Sequence, residues 1–176
     1  MRTLQPIPAA RGHDLIVFDG HDGAGKTTVA RRVAEELGGR LVRPFDDEFG
    51  PIASRLQRAG DFDALNRSAL QSVAKVLDAN SNGRPLIFDR HWMSIFTLVP
   101  RSYYASWQPL PFTFLCWADL PTTIARIAER AEPPVDTDVH VHYCERYREL
   151  AEEYSVPVLD TTGTNAEDWV RRLVSR

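Results

Sequence analysis

The chain has 176 residues, 43% of them hydrophobic, enough to bury one core, so residues 1–176 are expected to form a single domain. With 21 Lys+Arg against 24 Asp+Glu, the formal charge is −3, which argues against a partner held by broad attraction to a nucleic-acid backbone. Cys116 in an apolar run and Cys144 in a helical stretch have neither metal-site spacing nor a disulfide framework, and they read as reduced thiols. The sequence has no run of eighteen apolar residues and no leader-like start, so a cytoplasmic protein without membrane contact is expected.

The opening stretch MRTLQPIPAARGHD carries two prolines, and residues 1–12 are expected to be a loosely ordered tail. Leu15 to Asp19 form a strand-sized apolar run. The next residues, Gly20 to Thr28, read GHDGAGKTT. Val29, Ala30, Val33, Ala34 and Leu37 then recur at helical spacing and predict a helix over 26–37. Gly20, Gly25, Lys26 and Thr27 fit the pattern G-x-x-x-x-G-K-[ST], with Gly23 a further glycine inside it, and strand, loop and helix come in the order a phosphate-holding loop requires. Glycines let backbone N–H groups turn toward an anion with no Cβ in the way, and the helix start favours negative charge. Gly20, Asp22, Gly23, Ala24, Gly25, Lys26, Thr27 and Thr28 are thus the candidate nucleotide-binding set. Lys26 would reach the β and γ phosphates, and the Thr27 hydroxyl suits Mg2+.

Further along, RLVRPF at 40–45 predicts a second strand, followed by helices at 51–59 and 64–79. PLIFD at 85–89 predicts a third strand and FTFLCWAD at 112–119 a fourth. Helices at 121–131 and 139–154, a fifth strand in VPVLDT at 156–161 and a helix at 166–175 complete the chain. This alternation predicts a five-stranded parallel sheet with helices on both faces. Ligands bind at the carboxyl ends of such strands, which here carry Asp19, Arg43 with DDE at 46–48, Asp89 with Arg90, Asp119, and Asp160 with Thr161 and Thr162. An acid at a strand end is most often a turn or cap residue, as Asp119 is before LPTT. Asp89 and Arg90 stand out because they directly follow a fully apolar strand. The aromatic-rich WMSIFTLVPRSYYASWQPLPF either builds an acceptor pocket or covers the core.

Together, FDGHDGAGKTT, FDRHWMS, ADLPTTIARIAER and VLDTTG resemble the thymidylate kinase family and the nucleotide and nucleoside kinases around it, from about residue 12 onward. The resemblance implies a three-layer α/β/α P-loop kinase fold with a short lid at about 130–140, ATP and Mg2+ as cofactors, a small-molecule nucleotide or nucleoside acceptor, and room for a homodimer. Lys26 and Thr27 would hold the donor phosphates and metal, Asp22 would touch the acceptor sugar, and Asp89 and Arg90 would sit between donor and acceptor. Asp89 then acts as base toward a hydroxyl, or holds magnesium-bound water if the acceptor is a phosphate. The loop has no arginine between Gly20 and Gly25, so transition-state charge falls to Arg130, Arg126 or Arg90. Arg126 and Arg130 share one helix face, which is otherwise a solvated face paired with Glu129 and Glu132.

The chain departs from the family pattern in its acceptor region. After the second strand only Arg43 could grip a phosphate, and Asp46, Asp47 and Glu48 either oppose it or face solvent, with Asp47 capping the next helix. The helix at 64–79 has Arg67 but no aromatic, leaving Phe62, Phe45, Trp92 or a tyrosine to stack on a base. The expected acceptor residues are therefore Asp22, Arg43, Arg67, Arg90 and Trp92, around a deoxynucleoside monophosphate of the thymidylate type. The alternative acceptor is a hydroxyl of a nucleoside or modified base. An ATPase or switch lacks support in the absence of an N-K-x-D stretch, and a base within DNA would need a basic groove.

Overall fold

The computed structural model describes residues 13–80, 83–130, 136–163 and 165–175. Five apolar runs become the strands β1 (Leu15–Asp19), β2 (Arg40–Val42), β3 (Leu86–Asp89), β4 (Phe112–Trp117) and β5 (Val158–Asp160), all parallel, in the order β2-β3-β1-β4-β5. The central strand β1 places Phe18 opposite Asp89 on one side and Phe114 on the other. Observed strands are shorter than the apolar runs that predicted them. Prolines explain two of the ends: Pro44 and Pro157 have no N–H to give a ladder, and β2 and β5 stop or start just short of them.

Among the described residues, seven α-helices flank the sheet: α1 (Lys26–Leu37), α2 (Phe49–Ala59), α3 (Phe62–Ala79), α4 (Trp92–Phe96), α5 (Leu120–Glu129), α6 (Thr137–Glu153) and α7 (Ala166–Val174); a 3-10 helix covers Arg101–Trp107. The strand period of two divides β1 between two cores. Ile16 and Phe18 pack with Val29, Val33, Trp169 and Leu173 of α1 and α7, whereas Val17 packs with Leu65, Trp92, Phe96, Tyr147 and Leu150 on the opposite face. Burial on both faces is why β1, β3 and β4 read as continuous apolar runs. The result is the three-layer α/β/α P-loop kinase fold. Helix α2 begins two residues before its expected start because Pro51 is tolerated in a first turn. The residue whose side chain receives that helix start is Asp46, not the expected Asp47: its Oδ1 accepts the N–H groups of Glu48 at 3.2 Å and Phe49 at 3.1 Å. Asp119 caps α5 as expected, accepting from Thr122 N–H at 3.0 Å.

The aromatic segment after β3 folds into α4 and the 3-10 helix and mostly covers the core. Phe96 and Tyr104 stack with ring centroids 3.6 Å apart, and Trp107 Nε1 donates to Asn66 Oδ1 at 2.8 Å. Trp92, expected at the acceptor, is 1% exposed, and its Nε1 donates to Thr113 Oγ1 at 2.8 Å, so it is a core residue. Residues 1–12, read as a tail, lie outside the described residues, as do residues 131–135 in the middle of the expected lid. Among the described residues no helix is long and apolar enough to cross a membrane.

At the end of β1, Asp19 is fully buried. Its Oδ2 accepts the N–H groups of His91 at 3.0 Å, Met93 at 3.1 Å and Ser94 at 3.4 Å; Oδ1 accepts Ser94 Oγ at 2.6 Å and Gly20 N–H at 3.3 Å. The α4 start is therefore capped by the neighbouring strand, not by its own segment. Asp19→Ala leaves several of these donors without a partner and should lower unfolding free energy by about 2–4 kcal/mol, with a smaller loss in Asp19→Asn, as measured by urea denaturation.

Candidate functional site

The loop between β1 and α1 is wedged between β4 and α5, and this close approach accounts for its glycines. A Cβ on Gly20, at φ 144°, would lie 2.2 Å from the Cys116 carbonyl oxygen; one on Gly23, at φ 76°, would lie 2.6 Å from that of Thr123. Lys26 is buried, and its Nζ donates to the His21 carbonyl at 2.7 Å. Burial, helped by the nearby Arg90 charge, pushes the Lys26 ammonium down to about 8. Thr27 Oγ1 donates to Asp89 Oδ2 at 2.6 Å, and Arg43 Nε lies 3.4 Å from the same oxygen. Thr27 and Asp89, expected at the metal, are therefore in direct contact, and a hydroxyl beside a carboxylate is a hard-oxygen pair that fits Mg2+. Arg43 thus sits at Asp89.

Arg90 adopts φ 78°, in the left-handed region. Its N–H donates to Phe18 O at 3.0 Å, which continues the contact between β1 and β3 by one residue. The guanidinium Nη1 reaches Gly20 O at 3.2 Å, Ser94 Oγ at 3.3 Å and Tyr147 OH at 3.3 Å, while Nη2 is ion-paired with Asp22. Burial opposes the Arg90 charge, but Tyr147, Asp22, Asp19 and Asp89 more than offset it and raise its pKa. For Asp22, an exposed residue at the cavity mouth, the partial loss of surrounding water raises the pKa, but Arg90 and Lys26 outweigh it and the carboxyl titrates below the ordinary range.

Asp22 and Arg90 open onto a cavity of about 370 Å³, walled by Phe45, Phe49, Gln57, Ile95 and Tyr143. Phe45 was a stacking candidate and does line it, with the Phe49 ring 4.6 Å away. Asp46 lines it too. Arg43, Arg67 and Trp92, three of the expected acceptor residues, do not. Arg67 belongs to a separate groove with Asp63, Leu70 and Tyr103. The reason is rotational: the buried stripe of α3 runs through Leu65, Asn66, Ala69 and Val73, and each residue turns about 100° from the last.

A second groove, about 310 Å³, lies on the α1 side of the loop and is lined by Gly25, Thr28, Arg126, Arg130, Thr161 and Asn165 among others. Arg126 is not part of a solvated face. Its Nη1 donates to Gly23 O at 3.1 Å and Thr161 Oγ1 at 3.2 Å, and Nη2 donates to Thr161 O at 2.8 Å. Arg130 lines the same groove. Sequence reasoning gave no role to His21, Gln57 or Tyr147. Gln57 had no signal beyond its helix; His21 at least stood inside the loop.

Residues 15–154 match the family described as the AAA domain. Thymidylate kinase of Xanthomonas campestris pv. campestris (strain B100) is 30% identical over 160 residues, covering 75% of this chain and 66% of that protein. Thymidylate kinase of Xanthomonas euvesicatoria pv. vesicatoria is 31% identical over 149 residues, covering 68% and 63%. The matched stretch thus spans just under two thirds of the length of these curated relatives. Among solved structures, deoxyadenosine kinase from M. mycoides with bound dATP superposes with a TM-score of 0.62 at 16% identity, covering 89% of this chain and 95% of that one. The YorR protein of Bacillus subtilis, in complex with phosphorylated GDP, gives 0.64 at 16% identity, covering 91% and 93%. At that identity the likeness is one of fold.

The low pKa of Lys26 makes a pH dependence of anion binding. With a value of about 8, the side chain is charged below that pH and neutral above it. A triphosphate binds the charged form, so affinity for ATP in magnesium-free buffer should fall by up to about tenfold per unit as the pH rises above 8. Calorimetric titration from pH 6.5 to 9.5 checks this, and Lys26→Met should abolish the dependence.

Proposed function

Because the chain belongs to the AAA-domain family of P-loop proteins, as a thymidylate kinase-like member, we propose that it transfers the γ-phosphoryl group of ATP to a hydroxyl of a nucleoside-type acceptor. The charge of the 370 Å³ cavity carries the choice of acceptor. Among the described residues lining it, Arg90 is the one lysine or arginine, its charge is already matched by Asp22, and Asp46 adds a second carboxylate. Each negative charge of a phosphate brought within about 5 Å of Asp46 would be opposed by about 3 kcal/mol at an effective dielectric near 20. A neutral acceptor meets no such opposition. The ring pair Phe45 and Phe49 offers stacking, and the Gln57 amide offers one donor and one acceptor edge to a base.

In this reading the ATP phosphates lie along the loop N–H groups and Lys26 turns from the His21 carbonyl to the β and γ phosphates. Thr27 and Asp89 hold Mg2+, which when bound neutralises phosphate charge. Asp89, bonded to Thr27 and absent from the cavity wall, stays with the metal. The base toward the hydroxyl is then Asp22, whose side chain is 62% exposed and ionised. Arg90, beside it, stabilises the charge that spreads over the moving phosphoryl group. The groove under Arg126 and Arg130 receives the donor nucleobase.

A second reading, a deoxynucleoside monophosphate acceptor, is favoured by the thymidylate kinase relatives. It requires Arg90 to leave Asp22 and grip the acceptor phosphate, and it needs no base. ADP release measured with ATP, magnesium and a panel of deoxynucleosides and their monophosphates separates the two. Faster turnover with nucleosides is expected; a diphosphate formed from thymidylate would establish the second reading instead. Lys26→Ala should abolish turnover in a folded protein. Asp22→Asn and Arg90→Ala should each lower kcat by about 100-fold or more while ATP affinity changes little, since both are assigned to the transition state.

A further inference from the structure

One cluster lies beside the loop and outside the chemistry above. His21, at the second position of the loop, faces His140 and Cys144, one turn apart on α6, and the three ligand atoms lie within 4.8 Å of one another. The His21 and His140 rings meet edge to face with centroids 5.5 Å apart. Hydrogen bonds fix which nitrogen of each ring carries the proton. His21 Nδ1 lies 3.0 Å from the Asp22 carbonyl oxygen, which only accepts, so Nδ1 holds the hydrogen and Nε2 presents a lone pair. Thr123 Oγ1 gives its one hydrogen to Leu120 O at 2.9 Å and therefore accepts from His140 Nε2 at 2.8 Å, which leaves the lone pair of His140 on Nδ1.

The His21 side is unfinished as it stands. The residue is 2% exposed and its Nε2 is buried with no hydrogen-bond partner. A buried acceptor of this kind is costly unless something meets it. Two imidazoles, each anchored through its other nitrogen to a carbonyl or hydroxyl, are the arrangement by which proteins orient histidine toward a metal. A thiol completes a nitrogen and sulfur set suited to Zn2+ and ill suited to the hard Mg2+. We propose that His21, His140 and Cys144 bind one Zn2+ ion that fastens the phosphate loop to the first two turns of α6. Bond lengths of about 2.0–2.1 Å to nitrogen and 2.3 Å to sulfur set tetrahedral ligand separations near 3.5 Å, so side-chain rotation of roughly an ångström closes the site. His21 and His140 also line the 370 Å³ cavity, which supplies solvent for a fourth position.

The site is independent of which acceptor the protein uses, and its test reads the metal directly. Co2+ titrated into the metal-free full-length protein is the probe, because a cobalt–thiolate bond gives a charge-transfer absorption that imidazole and carboxylate ligands do not. One Co2+ per chain with that absorption is expected, bleached by one equivalent of Zn2+ and untouched by excess Mg2+. Cys144→Ser and Cys144→Ala should abolish the absorption while circular dichroism stays native. Thr123→Val, which removes the hydroxyl orienting His140, should weaken Zn2+ binding by about 10–100-fold. No thiolate band in the unmodified protein, or Zn2+ binding of equal strength in both Cys144 variants, would overturn the site.

Discussion

Asp19 brings a carboxylate into a place without water, and five N–H or O–H donors from the loop and from the start of α4 converge on it. Burial raises its pKa, and its bond from Ser94 and the charge of Arg90 pull the other way. Those five bonds fix the relative position of the two strands that carry the candidate site. β1 delivers the loop, β3 delivers Asp89 and Arg90, and Asp19 holds the first residues after β3 against the last residue of β1. The contact of Arg90 N–H with Phe18 O, and of its guanidinium with Gly20 O, then follows from a register already set.

The loop divides two unlike environments. On the α1 side the wall carries Arg126 and Arg130; on the other it carries rings, hydroxyls, two carboxylates and Arg90. Thr161 links the division to the far edge of the sheet, since its hydroxyl donates to Ala24 O at 3.0 Å while it also receives Arg126. The loop is thus braced from β5 and α5 on one side, through the carbonyls of Gly23 and Ala24, and from Asp19 on the other, through the N–H of Gly20.

Much of this arrangement was legible in the sequence because it is local. α1 begins and ends where the glycine pattern and helical period put it, the five strands coincide with five apolar runs, and Asp119 caps the helix it precedes. What was not legible depends on contacts between distant segments. Trp92 follows Asp89 so closely that it looks like a site residue, yet a hydrogen bond to Thr113 on β4 turns it into the core. Arg67 was matched to a helix by position, but helix rotation decides which groove it enters, and that is set by Leu65 and Ala69 meeting the sheet. Arg43 lies at the right strand end and is drawn to Asp89. Asp19 read as one acid among several strand-end acids, since all its partners but Gly20 stand more than 70 residues away. Cys144 has His140 one turn before it on α6, but their third companion, His21, comes from the distant loop, so the sequence showed no metal spacing.

The backbone of Arg90 ties shape to chemistry at a single residue. Its φ of 78° is a conformation that glycine adopts without cost and that other side chains adopt against a penalty of about 1–3 kcal/mol. Drift toward glycine here would relax the chain and at the same time erase the one lysine or arginine found on the cavity wall among the described residues. The surrounding bonds to Gly20, Ser94, Tyr147 and Asp22 hold the strained form in place, so the backbone penalty is offset by the side chain's own contacts. A library screened only for heat resistance would therefore keep the arginine in spite of its backbone, because a glycine would leave Asp22 and the buried Asp19 without its charge.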